Sequence, residues 1–125
     1  MANKIEYVSF GEFLQDKRED RNITLREMAK RIGVSAPFLS DVEKGRTAPL
    51  TKERLDKVSE ILDLSKEEKA QMYTIVGKQK NIVAPDVSDY VMRDYVSAAL
   101  RTARDLNAGE AEWQRFVEEL KQREG

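Results

Sequence analysis

One stretch, residues 24–47 (TLREMAKRIGVSAPFLSDVEKGRT), constrains this chain more than any other. Thr24 and Glu27 stand three apart, the spacing of a capping box, just ahead of an apolar-periodic run. Leu25, Met28, Ala29 and Ile32 then recur at i, i+3, i+4 and i+7, which is one face of a helix. Gly33 stops that helix, because glycine accepts the left-handed conformation that ends helices. Val34 follows as a single apolar plug. Ser35 offers a cap for a second helix, and Pro37 falls in its first turn, where a missing N–H costs little. Leu39 and Val42 point inward from that second helix, and Gly45 ends it.

The flanks extend the helical pattern. Residues 1–9 read as a loose arm, with Ile5, Tyr7 and Val8 adding a little packing and Ser9 capping a first helix over 10–21. Phe10 and Leu14 share the face that buries against the next helix, with Phe13 beside them and half exposed. Asn22 ends this helix, and Ile23 is the staple before Thr24. Thr51 caps a fourth helix with Leu55, Val58 and Leu62 inward. Ser65 and Glu68 form a second capping box, opening a fifth helix with Met72, Tyr73 and Val76 on one face and Gly77 at its close. Residues 79–85 read as a linker, and Asp86 as the cap of a short turn reaching about residue 92. Tyr95, Ala99, Ala103 and Leu106 then make another helical stripe, broken at 107–109. Trp113, Phe116, Val117 and Leu120 define a last amphipathic helix. The organisation expected is a domain over 8–78, a linker over 79–85 and a C-terminal helical extension over 86–123.

Two short helices joined by a glycine-bearing turn make a helix-turn-helix unit. It resembles the lambda-repressor-like family, also called Cro/cI or XRE. The family pattern reads Thr-Gln-x-Glu-Leu-Ala, then Gly-Val-Ser, Ile-Ser and Glu-x-Gly-x-x-x-Pro. Here it appears as Thr24, Glu27, Met28, Ala29, then Gly33, Val34, Ser35, then Leu39, Ser40, then Glu43, Gly45 and Pro49. The resemblance covers roughly residues 8–78. Leu25 departs from it, standing where the family often has glutamine, so a phosphate contact from that side chain is lost or replaced.

The resemblance implies an all-α fold, with a five-helix DNA-binding head followed by the helical extension. It also implies that the second helix of the motif enters the major groove, with its N-terminal residues at base edges. Opposite Leu39 and Val42, that helix presents Ala36, Pro37, Ser40, Asp41 and Lys44, with Ser35 at its start and Phe38 at the edge of the face. Ala36 and Pro37 can touch thymine methyls, Ser40 can donate or accept, and Lys44 can reach guanine or the backbone. Asp41 can accept from cytosine N4, or it pairs with Lys44 three residues on. Phe38 serves either as core cover or as a groove-edge contact. Arg46 and Thr47 suit phosphate, as do Thr24, Arg26 and the free N–H groups beside them. By the family pattern, Arg18 pairs with Glu43 as a structural tie.

Composition narrows the function classes. The chain has no Cys and no His among its 125 residues. Zinc sites of the usual kind and Ser–His or Cys–His catalysis are therefore excluded, and a non-enzyme without metal or cofactor is expected. No apolar stretch approaches the roughly 18–20 residues of a membrane span. The N-terminus lacks the long apolar region of a signal peptide, so a cytoplasmic protein with no membrane role is expected. The net charge is −1, but it is unevenly spread: residues 1–80 hold 16 Lys/Arg and 14 Asp/Glu, and residues 81–125 hold 6 and 9. That is the sign of a DNA-binding head with an acidic tail.

The function expected is a sequence-specific transcriptional regulator: a phage- or mobile-element-type repressor. It acts as a homodimer on a near-palindromic operator in double-stranded DNA. Tyr95, Ala99, Trp113, Phe116, Val117 and Leu120 are the expected dimer seam. The alternative is an interaction module whose C-terminal helices bind a partner: an antitoxin with its toxin, or a regulator controlled by a zinc metallopeptidase.

Overall fold

A computed structural model describes Tyr7 and residues 9–124. Ile5 and Val8 of the expected arm lie outside the described residues. Among those described, every regular element is a helix: α1 (Phe10–Asp20), α2 (Leu25–Ile32), α3 (Ala36–Glu43), α4 (Lys52–Ile61), α5 (Lys66–Lys80), α6 (Ser88–Val91), α7 (Asp94–Asp105) and α8 (Glu110–Gln122). The chain divides into two compact units, at Ser88/Asp89.

Each of the first five helices opens on a hydroxyl. Ser9, Thr24, Ser35, Thr51 and Ser65 have extended backbones, and each side chain accepts an N–H from three residues on. A hydroxyl there satisfies a donor the helix itself leaves unpaired, worth about 1 kcal/mol per cap. Gly33 closes α2 at φ +92°, a conformation that burdens any side chain.

The core of the first unit is one apolar cluster. It comprises Phe10, Phe13 and Leu14 of α1, Met28, Ala29 and Ile32 of α2, Leu39 and Val42 of α3, Leu50, Leu55, Val58, Leu62 and Leu64 around α4, and Met72, Tyr73 and Val76 of α5. α3 packs on both α1 and α2, α1 on α5, and α2 on α4. Phe13 is fully buried rather than half exposed. Tyr7 makes an edge contact with its ring at 5.3 Å, and Lys17 lies over it at 5.6 Å.

Two charged networks seal this core. Arg18 and Glu43 form a two-pronged fork, Nε to Oε2 at 2.8 Å and Nη2 to Oε1 at 2.9 Å, while Nη1 donates to the Ile23 carbonyl at 3.0 Å. The side chains are only 9% and 7% exposed, and the Glu43 carboxylate holds the Arg18 pKa above its ordinary value. Arg21 donates to the Leu62 carbonyl at 2.6 Å, at the end of α4, and reaches Glu68 at 3.4 Å. Burial pushes the Glu68 pKa up, but the Ser65 N–H, Lys17 and Arg21 outweigh it and hold the carboxyl below its usual range.

Three local expectations need correction. The Ser65–Glu68 box closes in both directions, whereas the Thr24–Glu27 box closes in one. Glu27 turns instead to Arg31, one turn ahead, at 2.8 Å, a charge-assisted bond stronger than one to a neutral N–H.

Gly77 does not end α5. The helix runs on to Lys80, and a Cβ at Gly77 would lie 3.0 Å from the Ala84 backbone and the Ile82 carbonyl. The glycine makes room for the returning chain. The stretch 79–85 therefore begins inside a helix, Gln79 caps α1 by accepting the Phe10 N–H at 2.8 Å, and Ala84 packs on the core.

Asp86 does not cap a helix: α6 starts at Ser88, whose Oγ donates to the Pro85 carbonyl at 3.2 Å.

The second unit is built differently. α6, α7 and α8 contain no buried residue. Tyr95, Val96, Ala99 and Ala103 of α7 and Trp113 and Phe116 of α8 line a groove of about 550 Å³. Trp113 and Phe116 meet edge to face at 6.3 Å. Leu106 stands apart, 77% exposed, and Val117 and Leu120 are also exposed.

Candidate nucleic-acid interface

The candidate face is α3, and its geometry starts from what holds it. Leu39 and Val42 are buried, which anchors one side of the helix against α1 and α2. Ser35 Oγ accepts the Phe38 N–H at 3.2 Å, fixing the helix start. The opposite side is then open. Ser35, Pro37 and Lys44 are exposed, while Ala36, Phe38, Ser40 and Asp41 are half-buried. Thr24 and Arg26, at the start of α2, are exposed, as is Arg46, while Thr47 is half-buried.

Asp41 does not pair with Lys44. Its Oδ1 lies 3.6 Å from Arg46 Nη1, and its carbonyl accepts the Arg46 N–H at 2.9 Å. The backbone turn after α3 folds Arg46 back toward Asp41, while Lys44 is the cap of the helix itself. The Arg18–Glu43 fork ties α1 to the last residue of α3, so the helix is held at both ends.

Two contributors escaped the sequence reading. A Cβ at Gly11 would fall 2.2 Å from the Glu43 carbonyl oxygen, so this glycine lets α1 and the end of α3 touch backbone to backbone. Arg54 of α4 lies over the Phe38 ring, its Cζ 5.7 Å from the centroid. Neither carries a periodic signal, because each depends on a residue from a different helix.

The model of the Helix-turn-helix family matches residues 14–69, a span running from within α1 into α5. Residues 14–69 are a helix-turn-helix domain of the lambda-repressor-like family. The chain is 39% identical over 54 residues to the "ImmF control region 10 kDa protein" of Bacillus phage phi105, covering 43% of this chain and 59% of that protein. An "uncharacterized HTH-type transcriptional regulator" of two Mycobacterium tuberculosis strains is 31% identical over 84 residues, 67% of this chain and 57% of that protein. The chain thus spans less than two thirds of the length of these relatives. The solved "SinR protein/SinI protein complex" is similar at a TM-score of 0.46 with 20% identity, over 92% of this chain and 97% of that one. A likeness so slight has no bearing on function. No helix among the described residues is long and apolar enough to cross a membrane.

Proposed function

We propose that this chain is a non-enzymatic, sequence-specific DNA-binding transcriptional regulator, and a repressor of the phage or mobile-element type. The observation that carries the reading is α3 itself. It is anchored by Leu39, Val42 and the Arg18–Glu43 fork, and its open side offers hydroxyl, amine and apolar groups at the spacing of a groove-reading helix. On this reading Ser40 and Lys44 contact bases, and Ala36 and Pro37 meet thymine methyls. Thr24, Arg26, Ser35, Arg46 and Thr47 hold phosphates. The names of the relatives, a phage control-region protein and an HTH-type transcriptional regulator, support it. Selection of bound sequences from random duplex DNA at a stated salt concentration tests it. A near-palindromic consensus is the expected result, and recovery of no consensus would sink it.

The extension over 86–123 is proposed to be the dimer seam, following the head and the short 79–85 connection. Tyr95, Ala99, Trp113, Phe116, Val117 and Leu120 would meet a second copy across a two-fold axis. A two-fold dimer places two recognition helices on two half-sites, about 34 Å apart on the duplex. The same uncovered apolar face favours the second reading, an interaction module that binds a toxin or a zinc metallopeptidase. Sedimentation of the purified chain separates the two: a dimer by itself supports the first, and a monomer at tens of micromolar supports the second.

A further inference from the structure

Six arginines lie in α1–α5 and the turns between them, and four of them are engaged by carboxylates: Arg18 by Glu43, Arg21 by Glu68, Arg31 by Glu27 and Arg46 by Asp41. Arg26 and Arg54 have no carboxylate at ion-pair distance among the described residues. Arg26 is exposed to water, but Arg54 is half-buried, in the first turn of α4. In place of an anion it has the Phe38 ring, with Cζ 5.7 Å from the centroid. Phe38 is itself fixed: it packs against the core, and its N–H is held by Ser35.

The chemistry of this pair is specific. A guanidinium is weakly hydrated, planar and charged at every accessible pH, so it stacks on an aromatic face and keeps its in-plane N–H edge free for an anion. A guanidinium with no carboxylate beside it keeps N–H donors for an incoming anion. Phe38 is the third residue of α3, at the end of the helix that meets base edges in this class of motif. A cation held over its ring stands beside that end of the helix.

We propose that Arg54 is a DNA-backbone-binding residue and that Phe38 is its positioning residue, a platform that orders the guanidinium before DNA arrives. The proposal rests on the DNA-binding reading above. It gives Phe38 one task where core cover and groove contact both stood open. Pre-ordering matters because a long side chain otherwise loses its rotamer freedom on binding.

The test uses the full chain, a duplex obtained by selection from random DNA, and a scrambled duplex of the same length, each titrated over a range of salt. R54A weakens binding to both duplexes about equally and reduces the log–log salt slope by about 1. R54K keeps the slope and weakens binding about twofold to fivefold, because an ammonium keeps the charge but lacks the planar fork that meets ring and phosphate together. F38L keeps apolar bulk but removes the ring face; it lowers affinity in the wild-type background and adds nothing in the R54A background. If F38L unfolds, F38M, which fills the same space flexibly, takes its place.

An unchanged slope in R54A overturns the proposal. So does a Phe38 substitution that costs the same with and without Arg54, since Phe38 would then act by a contact of its own. Wild-type protein that binds neither duplex in a salt-dependent way overturns the DNA-binding reading as well. Wild-type binding with R54A unaltered overturns this proposal alone.

Discussion

A methyl group added at Gly11 would sit 2.2 Å from the Glu43 carbonyl oxygen and 2.6 Å from two further Glu43 backbone atoms. Alanine is the better helix former by about 1 kcal/mol, but overpacking against a backbone that cannot turn aside costs about 1–3 kcal/mol and sometimes more. The clash wins. Gly11→Ala is expected to destabilise the head by about 2 kcal/mol, read as a lower denaturant midpoint at unchanged slope. The residue that Gly11 touches is also half of the buried fork. Removing Arg18 or Glu43 alone strands a buried charge, a loss of about 3–5 kcal/mol. Removing both is expected to cost less than the two single losses together. A double-mutant cycle on chemical denaturation checks this, and a coupling near zero would mean that both groups are merely solvated.

Helices were legible where their causes are local. A hydroxyl followed by an apolar stripe marks the start of α1 through α5, and both signals lie within seven residues of each other. What escaped was decided across helices: Gly77 against Ala84, Gln79 against Phe10, Gly11 against Glu43, and Arg54 against Phe38. Competition hid the rest. Glu27 had two partners within one turn and took the charged one, and Asp41 found Arg46 through a turn whose shape spacing alone does not give. On the candidate site, the sequence names the residues of α3, and the packing of Leu39 and Val42 decides which of them face water. Lys44 and Arg46 stand at the end of that element and are expected to behave oppositely. Lys44→Ala should cost about 1–3 kcal/mol on the preferred site and alter the selected motif. Arg46→Ala should weaken all sequences alike and flatten a salt slope of roughly −3 to −5 per monomer. Titrations on preferred and scrambled duplexes distinguish them, and an unchanged motif would move Lys44 to the backbone class.

At the scale of the molecule, the two units differ in what holds them. The first owns the whole apolar core, and the second has no buried residue among those described. Helices of 12 and 13 residues are marginal in water unless something covers their apolar face. A chain ending at Ser88 is expected to stay folded, sediment as a monomer and lose most operator affinity while keeping weak non-specific binding. Trp113→Ala in the full chain should shift the dimer the same way. A truncated head that remained dimeric in the ultracentrifuge would put the seam in the head instead. The Asp41–Arg46 pair bears on how such a molecule finds its target. Any stretch of duplex offers phosphate, so a regulator whose cations are all unengaged is held at random along a genome. On the DNA-binding reading, the acid on α3 that holds the guanidinium at 3.6 Å must give way to a phosphate at every stop, right or wrong. Residence on any duplex would then shorten, and more of a small pool of molecules would stay free to sample. The choice among stops is then left, on that reading, to how well the bases under α3 fit.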